Sequence, residues 1–235
     1  MEAVERTKSG IKGLDELISG GFPRESTILI TGGPGTGKTT FTLNYLINGA
    51  LDYKEKGVYV SLEEEPARII NNIKSSFSWP VEELIKKKML KFVRAELYDF
   101  DKLKIMIEDE VDAMKAKRLV IDPTTIISLF FEKPFEVRRN ILELDRIVKK
   151  LGCTSLLVCE MPEGTKGISA FGVEEFVADG IIIMYYIEDG RFTRALSVRK
   201  MRATRHDIGL HPIEITKDGI VVYPAERFER HNIKL

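Results

Sequence analysis

The sequence is poor in cysteine, has no excess of charge of either sign and contains no long apolar run. Its 235 residues include 36 Lys+Arg and 36 Asp+Glu, so the formal net charge is zero. Binding to nucleic acid or to an anionic membrane would therefore need a local basic patch. The longest near-pure apolar run, Ile181–Ile187, is far too short to span a bilayer, and the charged N-terminus lacks the apolar core of a secretory signal. We expect no membrane insertion and a cytoplasmic location.

The two cysteines, Cys153 and Cys159, fall in one predicted strand. Six residues of extended chain separate them by roughly 20 Å, which is too far for a disulfide within that strand. We therefore expect two buried thiols in a reducing cytosol. The sequence has no Cys/His cluster at ligand spacing, so it predicts no structural zinc site.

The chain is long and apolar enough to bury a sizeable core. Hydrophobic residues make up 43% of it and charged residues 31%, which excludes a disordered chain. No Pro/Gly/Ser-rich linker and no internal repeat interrupts the sequence. We therefore expect one domain over residues 1–235.

Strand-like and helix-like segments alternate along most of the chain, which predicts a mainly parallel central sheet flanked by helices, in the α/β class. The last third instead predicts two antiparallel hairpins. Predicted strands are Ser26–Thr31, Gly57–Leu62, Lys91–Arg94, Arg118–Asp122, Thr154–Cys159, Gly180–Ile187, Phe192–Met201, Leu210–Ile215 and Ile220–Tyr223. Predicted helices are Lys38–Leu51, Pro66–Phe77, Val81–Lys88, Asp101–Met114 and Phe135–Leu151.

A glycine-rich segment between the first predicted strand and the first predicted helix matches the pattern G-x-x-x-x-G-K-[ST]. Glycines let successive backbone N–H groups surround phosphate oxygens, and the following helix presents its positive N-terminal end to the anion. The lysine would reach the β- and γ-phosphates, and the threonine after it would ligate Mg²⁺. The segment consists of Gly32, Gly33, Pro34, Gly35, Thr36, Gly37, Lys38 and Thr39, followed by Thr40.

Acidic residues follow two of the other predicted strands. Asp122 ends an apolar strand, where a carboxylate can help to hold Mg²⁺ near a phosphate loop. Glu63 and Glu64 follow Gly57–Leu62 and are either a base acting on water or acids that favour the start of the next helix. Ligands of α/β sheets bind beyond the carboxyl ends of the strands, where this pair would lie.

The sequence contains no Asn-Lys-x-Asp signature for reading guanine. We therefore expect ATP rather than GTP as the nucleotide, with Mg²⁺ as the metal.

Five blocks in the same order resemble KaiC and its single-domain archaeal relatives, in the RecA/RadA superfamily. The resemblance extends over residues 7–224 and is far more specific than the phosphate loop alone. The blocks are Ser9–Pro23, Asn44–Gly49, Leu62–Pro66, Gly172–Gly180 and Lys200–His206.

This resemblance implies a RecA-like P-loop ATPase that assembles as a ring, commonly a hexamer, with ATP between subunits. Glu63 and Glu64 match the family's paired catalytic glutamates, and Asp122 matches its Walker B acid. The segment that reaches the neighbouring subunit's nucleotide is matched by Lys200, Arg202, Thr204 and His206. An arginine supplied from another subunit is a common way to place positive charge on a γ-phosphate.

The chain departs from the family pattern at several positions. Ala203 stands where the family usually has glycine, and Pro123 replaces the serine that commonly follows the Walker B acid. Glu175 and Phe176 occupy the positions of a phosphate-accepting Ser-Thr pair in the second domain of cyanobacterial KaiC. Because neither residue has a hydroxyl group, autokinase activity is not expected.

Three functions fit these features. The first is a regulatory ATPase that acts on an unknown protein partner. The second is a non-hydrolysing ATP-binding scaffold, similar to the accessory ATPase of the archaeal motility motor. The third is a RadA-like recombination ATPase, which zero net charge and the weakly basic loop Met161–Phe171 do not favour.

Overall fold

The computed structural model describes residues 4–95, 99–131, 133–161, 177–187 and 191–228. Every predicted helix and strand is present, with its ends within two residues of the predicted ones. The strands are β1 (Arg6–Thr7), β2 (Phe22–Pro23), β3 (Thr27–Gly32), β4 (Gly57–Ser61), β5 (Leu90–Arg94), β6 (Arg118–Asp122), β7 (Thr154–Glu160), β8 (Gly180–Tyr186), β9 (Arg194–Met201), β10 (His211–Thr216) and β11 (Gly219–Val222). The helices are α1 (Leu14–Leu17), α2 (Lys38–Asp52), α3 (Pro66–Ser76), α4 (Val81–Lys86), α5 (Phe100–Met114) and α6 (Pro134–Lys150), with a 3₁₀ helix at Thr124–Phe130.

The main sheet is mixed, as the sequence predicts. Within the described ranges it has nine strands in the order β11-β10-β9-β8-β3-β7-β6-β4-β5. The strands from β8 to β5 in this order pair in parallel, and β9, β10 and β11 extend the sheet by antiparallel pairing. Because β3, β4, β6, β7 and β8 run the same way, their carboxyl ends share one edge of the sheet, here called the carboxyl edge; the opposite edge is the amino edge.

Both faces of the parallel strands are buried, as their continuous apolar sequences predict. Residues alternate along β3, so that Ile28 and Ile30 pack in the cluster containing α2, while Leu29 packs in the cluster containing α5 and α6. All six residues of β3 are buried. The central strands are thereby fixed, and the loops at the carboxyl edge are built on a rigid base.

The N-terminal segment contains elements that the sequence does not predict, because β1 and β2 have two residues each and α1 has four. Its anchor is Arg118, whose side chain is fully buried. The guanidinium donates to Glu55 Oε2 at 2.7 Å, Tyr45 O at 2.7 Å and Lys8 O at 2.8 Å. A buried cation needs such complete pairing, which here ties the N-terminal segment to β6.

Both cysteines are buried thiols that form no disulfide, in agreement with the sequence. Cys153 lies one residue before β7 rather than inside it. Burial raises the pKa of the Cys153 thiol to about 12, as expected for an unreactive structural thiol. Within the described ranges, no helix has the length and apolar character needed to cross a membrane.

Candidate nucleotide site

The glycine-rich segment forms a loop that joins β3 to α2 at the carboxyl edge. Its shape requires glycine, since Gly35 has φ +72° and Gly37 has φ +100°, a region that other residues rarely adopt. Gly33 O accepts hydrogen bonds from Lys38 Nζ and Thr36 Oγ1, each at 2.9 Å. A Cβ atom added at Gly33 or Gly35 would meet nothing within 4 Å, so the loop borders open space. The backbone therefore forms a cradle in front of the α2 N-terminus that fits an anion.

Lys38 is the cation of this cradle, and its side chain is largely withdrawn from water. Burial lowers the pKa of Lys38, and the negative charges of Glu160 and Asp122 partly offset this effect. Glu160 pairs directly with Gly32 across β7 and β3, so this strand-end acid lies beside the loop. A poorly hydrated ammonium gains more from a nearby phosphate than an exposed one does.

Thr39 and Asp122 meet at the start of α2. Thr39 Oγ1 donates to Asp122 Oδ2 at 3.0 Å, and the Tyr59 hydroxyl donates to the same oxygen at 2.6 Å. Burial raises the pKa of Asp122, although the hydrogen bonds from Tyr59 and Thr39 and the charge of Lys38 act in the opposite direction. A carboxylate and a hydroxyl this close are the oxygen donors that Mg²⁺ prefers, so these residues fit the expected metal.

Glu63 and Glu64 follow β4 at the same edge, and both are exposed. The Glu64 carbonyl accepts from Ser61 Oγ at 2.7 Å, and its carboxylate lies 3.9 Å from Arg68. The pKa of Tyr59 lies well above its ordinary value, chiefly through burial, then through the charge of Asp122 and its hydrogen bond, and then through the charge of Glu64. The charge of Glu64 thus acts on the group that contacts Asp122.

The other predicted site residues lie at the amino edge. Gly32, beside the cradle, aligns across β8 with Leu196 of β9, whereas Met201 of β9 aligns with Ile28. Four residues of strand separate these two alignments, or about 13 Å along the sheet. The segment from Lys200 onward therefore does not meet the phosphate loop of its own chain.

Lys200 and Arg202 both contact the residues just before β8. Lys200 Nζ donates to Ala178 O at 2.7 Å. Arg202 Nη1 forms an ion pair with Asp179 Oδ1 at 3.1 Å, and the Arg202 backbone N–H donates to Asp179 O at 2.8 Å. The two cations are thus held side by side at the end of β9.

Thr204 and His206 continue this segment, which the N-terminal residues hold. Thr204 Oγ1 donates to Arg202 O at 3.1 Å and accepts from Arg6 Nη1 at 3.0 Å, while His206 Nδ1 lies 3.3 Å from Thr204 O. Ala203, where the family usually has glycine, adopts the left-handed conformation with φ +51°. The turn thus has the backbone shape that glycine favours despite the substitution.

Arg194 is a contact of the cradle that the sequence did not reveal. Its Nε donates to Gly35 O at 2.9 Å, and its guanidinium lies 5.6 Å from the centre of the Tyr186 ring. Because a trans peptide directs its C=O and N–H to opposite sides, holding Gly35 O outward turns the Thr36 N–H the other way. Neither Arg194 nor Tyr59 belongs to a local motif, so only the pairing of distant strands places them here.

Some predicted features lie outside the described residues. These are Glu175, Phe176 and nearly all of the loop Met161–Phe171. The peptide between Asp122 and Pro123, the other departure from the family pattern, is cis.

Comparisons with known proteins show the family to which the chain belongs. The model of the ATPase family KaiC matches residues 7–227. A UPF0273 protein of Thermotoga maritima is 40% identical over 241 residues, covering 95% of this chain and 98% of that protein. The circadian clock oscillator protein KaiC of Parathermosynechococcus lividus is 34% identical, covering 95% of this chain but 43% of that protein.

A solved structure is also similar. The crystal structure of a KaiC-like protein from Pyrococcus horikoshii OT3 matches with a TM-score of 0.85 and 42% identity, covering 94% of this chain and all of that one. This match confirms the expected RecA-like architecture. The chain belongs to the KaiC family of ATPases.

Proposed function

We propose that this protein is a single-domain ATPase that hydrolyses ATP with Mg²⁺ at the interfaces of a ring, most simply a hexamer. The observation that carries the proposal is the position of the two halves of the site at opposite edges of one sheet. The cradle lies at the carboxyl edge, and the cations that begin at Lys200 lie at the amino edge. Head-to-tail contacts between copies would bring the two halves together, and such contacts generate rings when they close.

The cradle residues would bind and orient the triphosphate. Backbone N–H groups of Gly33 and of residues 35–40, together with the Lys38 ammonium, would contact its phosphate oxygens, and Pro34, which has no N–H, would stiffen the turn. Thr39 and Asp122 would hold Mg²⁺, which when bound neutralises charge on the phosphates. The raised pKa of Asp122 and the lowered pKa of Lys38 both reflect burial, so each group is stabilised when an opposite charge enters the site.

Hydrolysis needs an oriented water and positive charge at the γ-phosphate. Glu63 would accept a proton from the water molecule whose oxygen attacks the γ-phosphorus. The bond between the γ-phosphorus and the oxygen that bridges it to the β-phosphate breaks, and ADP and phosphate are released. Glu64 would assist by orienting this water. Lys200 and Arg202 of the adjacent copy would stabilise the negative charge that develops.

Thr204 and His206 follow these cations and would complete the contact with the neighbour's nucleotide. Turnover would then depend on assembly, which suits a regulatory ATPase that signals its nucleotide state to a protein partner. The buried thiols Cys153 and Cys159 support a reducing compartment such as the cytoplasm.

A second candidate is an ATP-binding scaffold that does not hydrolyse its ligand. The surroundings of the two candidate bases favour it. Glu63 and Glu64 are both exposed, and the Glu64 carboxylate lies 3.9 Å from the Arg68 guanidinium of α3. In this case ATP would bind tightly and stay intact while it bridges two copies. The two candidates differ in whether phosphate is released.

Single-turnover hydrolysis tests the proposal. We expect Lys38→Ala, Glu63→Gln and Arg202→Ala to lower the rate by at least about a hundredfold each, as for other residues that stabilise a transition state. Arg199→Gln is the matched control, because Arg199 is an exposed cation of the same strand as Lys200. Bound ATP that is never cleaved by the wild type would select the scaffold. Unchanged rates for Glu63→Gln and Arg202→Ala would contradict the assigned roles.

A further inference from the structure

The cations Lys200 and Arg202 share one support, formed by Ala178 and Asp179 just before β8. The Ala178 carbonyl accepts from Lys200 at 2.7 Å, and the Asp179 carboxylate faces Arg202 at 3.1 Å. Asp179 also binds the Arg202 backbone through its own carbonyl at 2.8 Å. Asp179 lies in the block Gly172–Gly180, but the sequence predicts no role for it, because its partners come from distant elements.

The Asp179 carboxylate is itself fixed by other elements. Its Oδ2 accepts from the Thr27 backbone N–H at 3.1 Å and from Lys149 Nζ of α6 at 2.8 Å. Its side chain is only 12% exposed. The first residue of β3 and the last turn of α6 therefore both determine where Oδ1 lies.

Lys149 keeps this carboxylate paired even without Arg202. Burial alone would lower the pKa of Lys149, but its hydrogen bonds to Asp179 and Asp145, together with the charges of these two aspartates, outweigh burial and raise the pKa above its ordinary value. The lysine therefore stays charged at neutral pH and gives the Asp179 carboxylate a partner other than Arg202, although it also pairs with Asp145.

Arg202 is held at one point and is open elsewhere. Within the described part of the chain, Asp179 is the only acceptor of its guanidinium, and it engages Nη1 alone. The Arg202 side chain is 56% exposed. A guanidinium has five N–H donors, so an anchored Nη1 leaves Nε and Nη2 to contact an external anion.

We propose that Asp179 is a positioning residue for the composite ATP site, which holds Arg202 so that its free nitrogens face the phosphates bound by the adjacent copy. This inference rests on the proposed function and deepens it. An arginine that is already immobilised loses less side-chain freedom when it contacts a phosphate. We therefore expect the carboxylate to act on turnover through Arg202.

A double-mutant cycle on the assembled full-length protein tests this inference. We expect Asp179→Asn to lower kcat about tenfold in the wild-type background, because a small misplacement of a catalytic group has effects of this size or larger. In the Arg202→Ala background the same change should alter kcat less than about twofold, since the group it positions is gone. Glu143→Gln is the control, because it removes another carboxylate–lysine pair, with Lys104, from α6.

The outcomes separate positioning from a structural role. An equal loss of kcat in both backgrounds, or a wild-type kcat for Asp179→Asn, would overturn the inference. If Asp179→Asn does not fold, Asp179→Glu keeps the charge but moves it by one methylene, and the same cycle applies. A wild type that does not turn over ATP, or that is insensitive to Arg202→Ala, would instead contradict the proposed function.

Discussion

Replacing the proposed metal ligand Asp122 with its amide, Asp122→Asn, should stabilise the protein while it disables the proposed site. Asp122 is only 9% exposed, and burial raises its pKa. A raised pKa means that the folded protein binds this proton more tightly than the unfolded chain does. The contribution of Asp122 to the free energy of unfolding therefore falls as the pH rises from the ordinary pKa of an aspartate to the raised pKa of Asp122. It stays low at higher pH. The amide carries no charge and removes this loss.

The size of the effect depends on the two hydrogen bonds to Asp122 Oδ2. The hydroxyls of Tyr59 and Thr39 donate to it at 2.6 and 3.0 Å, and such bonds contribute about 1.5–3 kcal/mol each to an ionised acceptor, against about 1 kcal/mol to a neutral one. An amide oxygen in the same place still accepts both. Burial still outweighs the stronger bonds to the carboxylate, since the net pKa of Asp122 is raised. We therefore expect the free energy of unfolding to rise by about 1 kcal/mol near pH 8, a common size for one substitution, which raises Tm by roughly 2–4 °C in a chain of this size.

Thermal unfolding without nucleotide, in a chelator, measures this effect. The gain of Asp122→Asn over the wild type should shrink as the pH falls toward 4, where the wild-type carboxyl becomes protonated as well. Asp109→Asn, an exposed site on α5, is the control and should show no comparable gain. Mg²⁺ with ATP should raise the Tm of the wild type more than that of Asp122→Asn. A loss of stability for Asp122→Asn at pH 8, or a gain that is independent of pH, would refute the reasoning.

Three further substitutions probe the backbone and the cradle. Ala203→Gly should raise the free energy of unfolding, measured in urea, by ~0.5 kcal/mol. Glycine removes the strain of alanine in the left-handed conformation, and this gain exceeds the greater backbone entropy that glycine loses on folding; a lower free energy of unfolding would contradict this. Gly49→Ala normally favours a helix, but here its Cβ would overlap the Arg118 guanidinium, so urea unfolding should show a loss of at least about 2 kcal/mol. Arg194→Gln should weaken ATP binding about tenfold by titration, whereas Arg199→Gln should not; equal affinities would exclude a role for Arg194 in shaping the cradle.

The elements of the sheet could be predicted from the sequence because their signals are local. The apolar run Arg118–Asp122 and the helical spacing in Lys38–Leu51 each depend on a few neighbouring residues. The phosphate loop was likewise contained in one segment. The N-terminal segment had no such signal, since two-residue strands show no periodicity and depend on partners such as Arg118.

The site was predictable only where it is built from contiguous motifs. The sequence predicts no role for Tyr59, Arg194 or Asp179. Strand register, and for Asp179 contacts with α6 and the residue after β9, bring them to their partners, rather than any spacing along the chain. The register of the strands also places Lys200 and its neighbours at the edge of the sheet opposite the cradle. The motifs alone do not predict this position.

Mixing two inactive variants tests the shared site most directly. Lys38→Ala lacks a working cradle but keeps Arg202, whereas Arg202→Ala lacks the cation but keeps Lys38. In rings assembled from equal amounts of both, about a quarter of the interfaces would join an intact cradle to an intact arginine. The account predicts that the mixture recovers about a quarter of the wild-type rate of ATP hydrolysis. A mixture that stays as inactive as its components, although sedimentation shows that they assemble together, would contradict it.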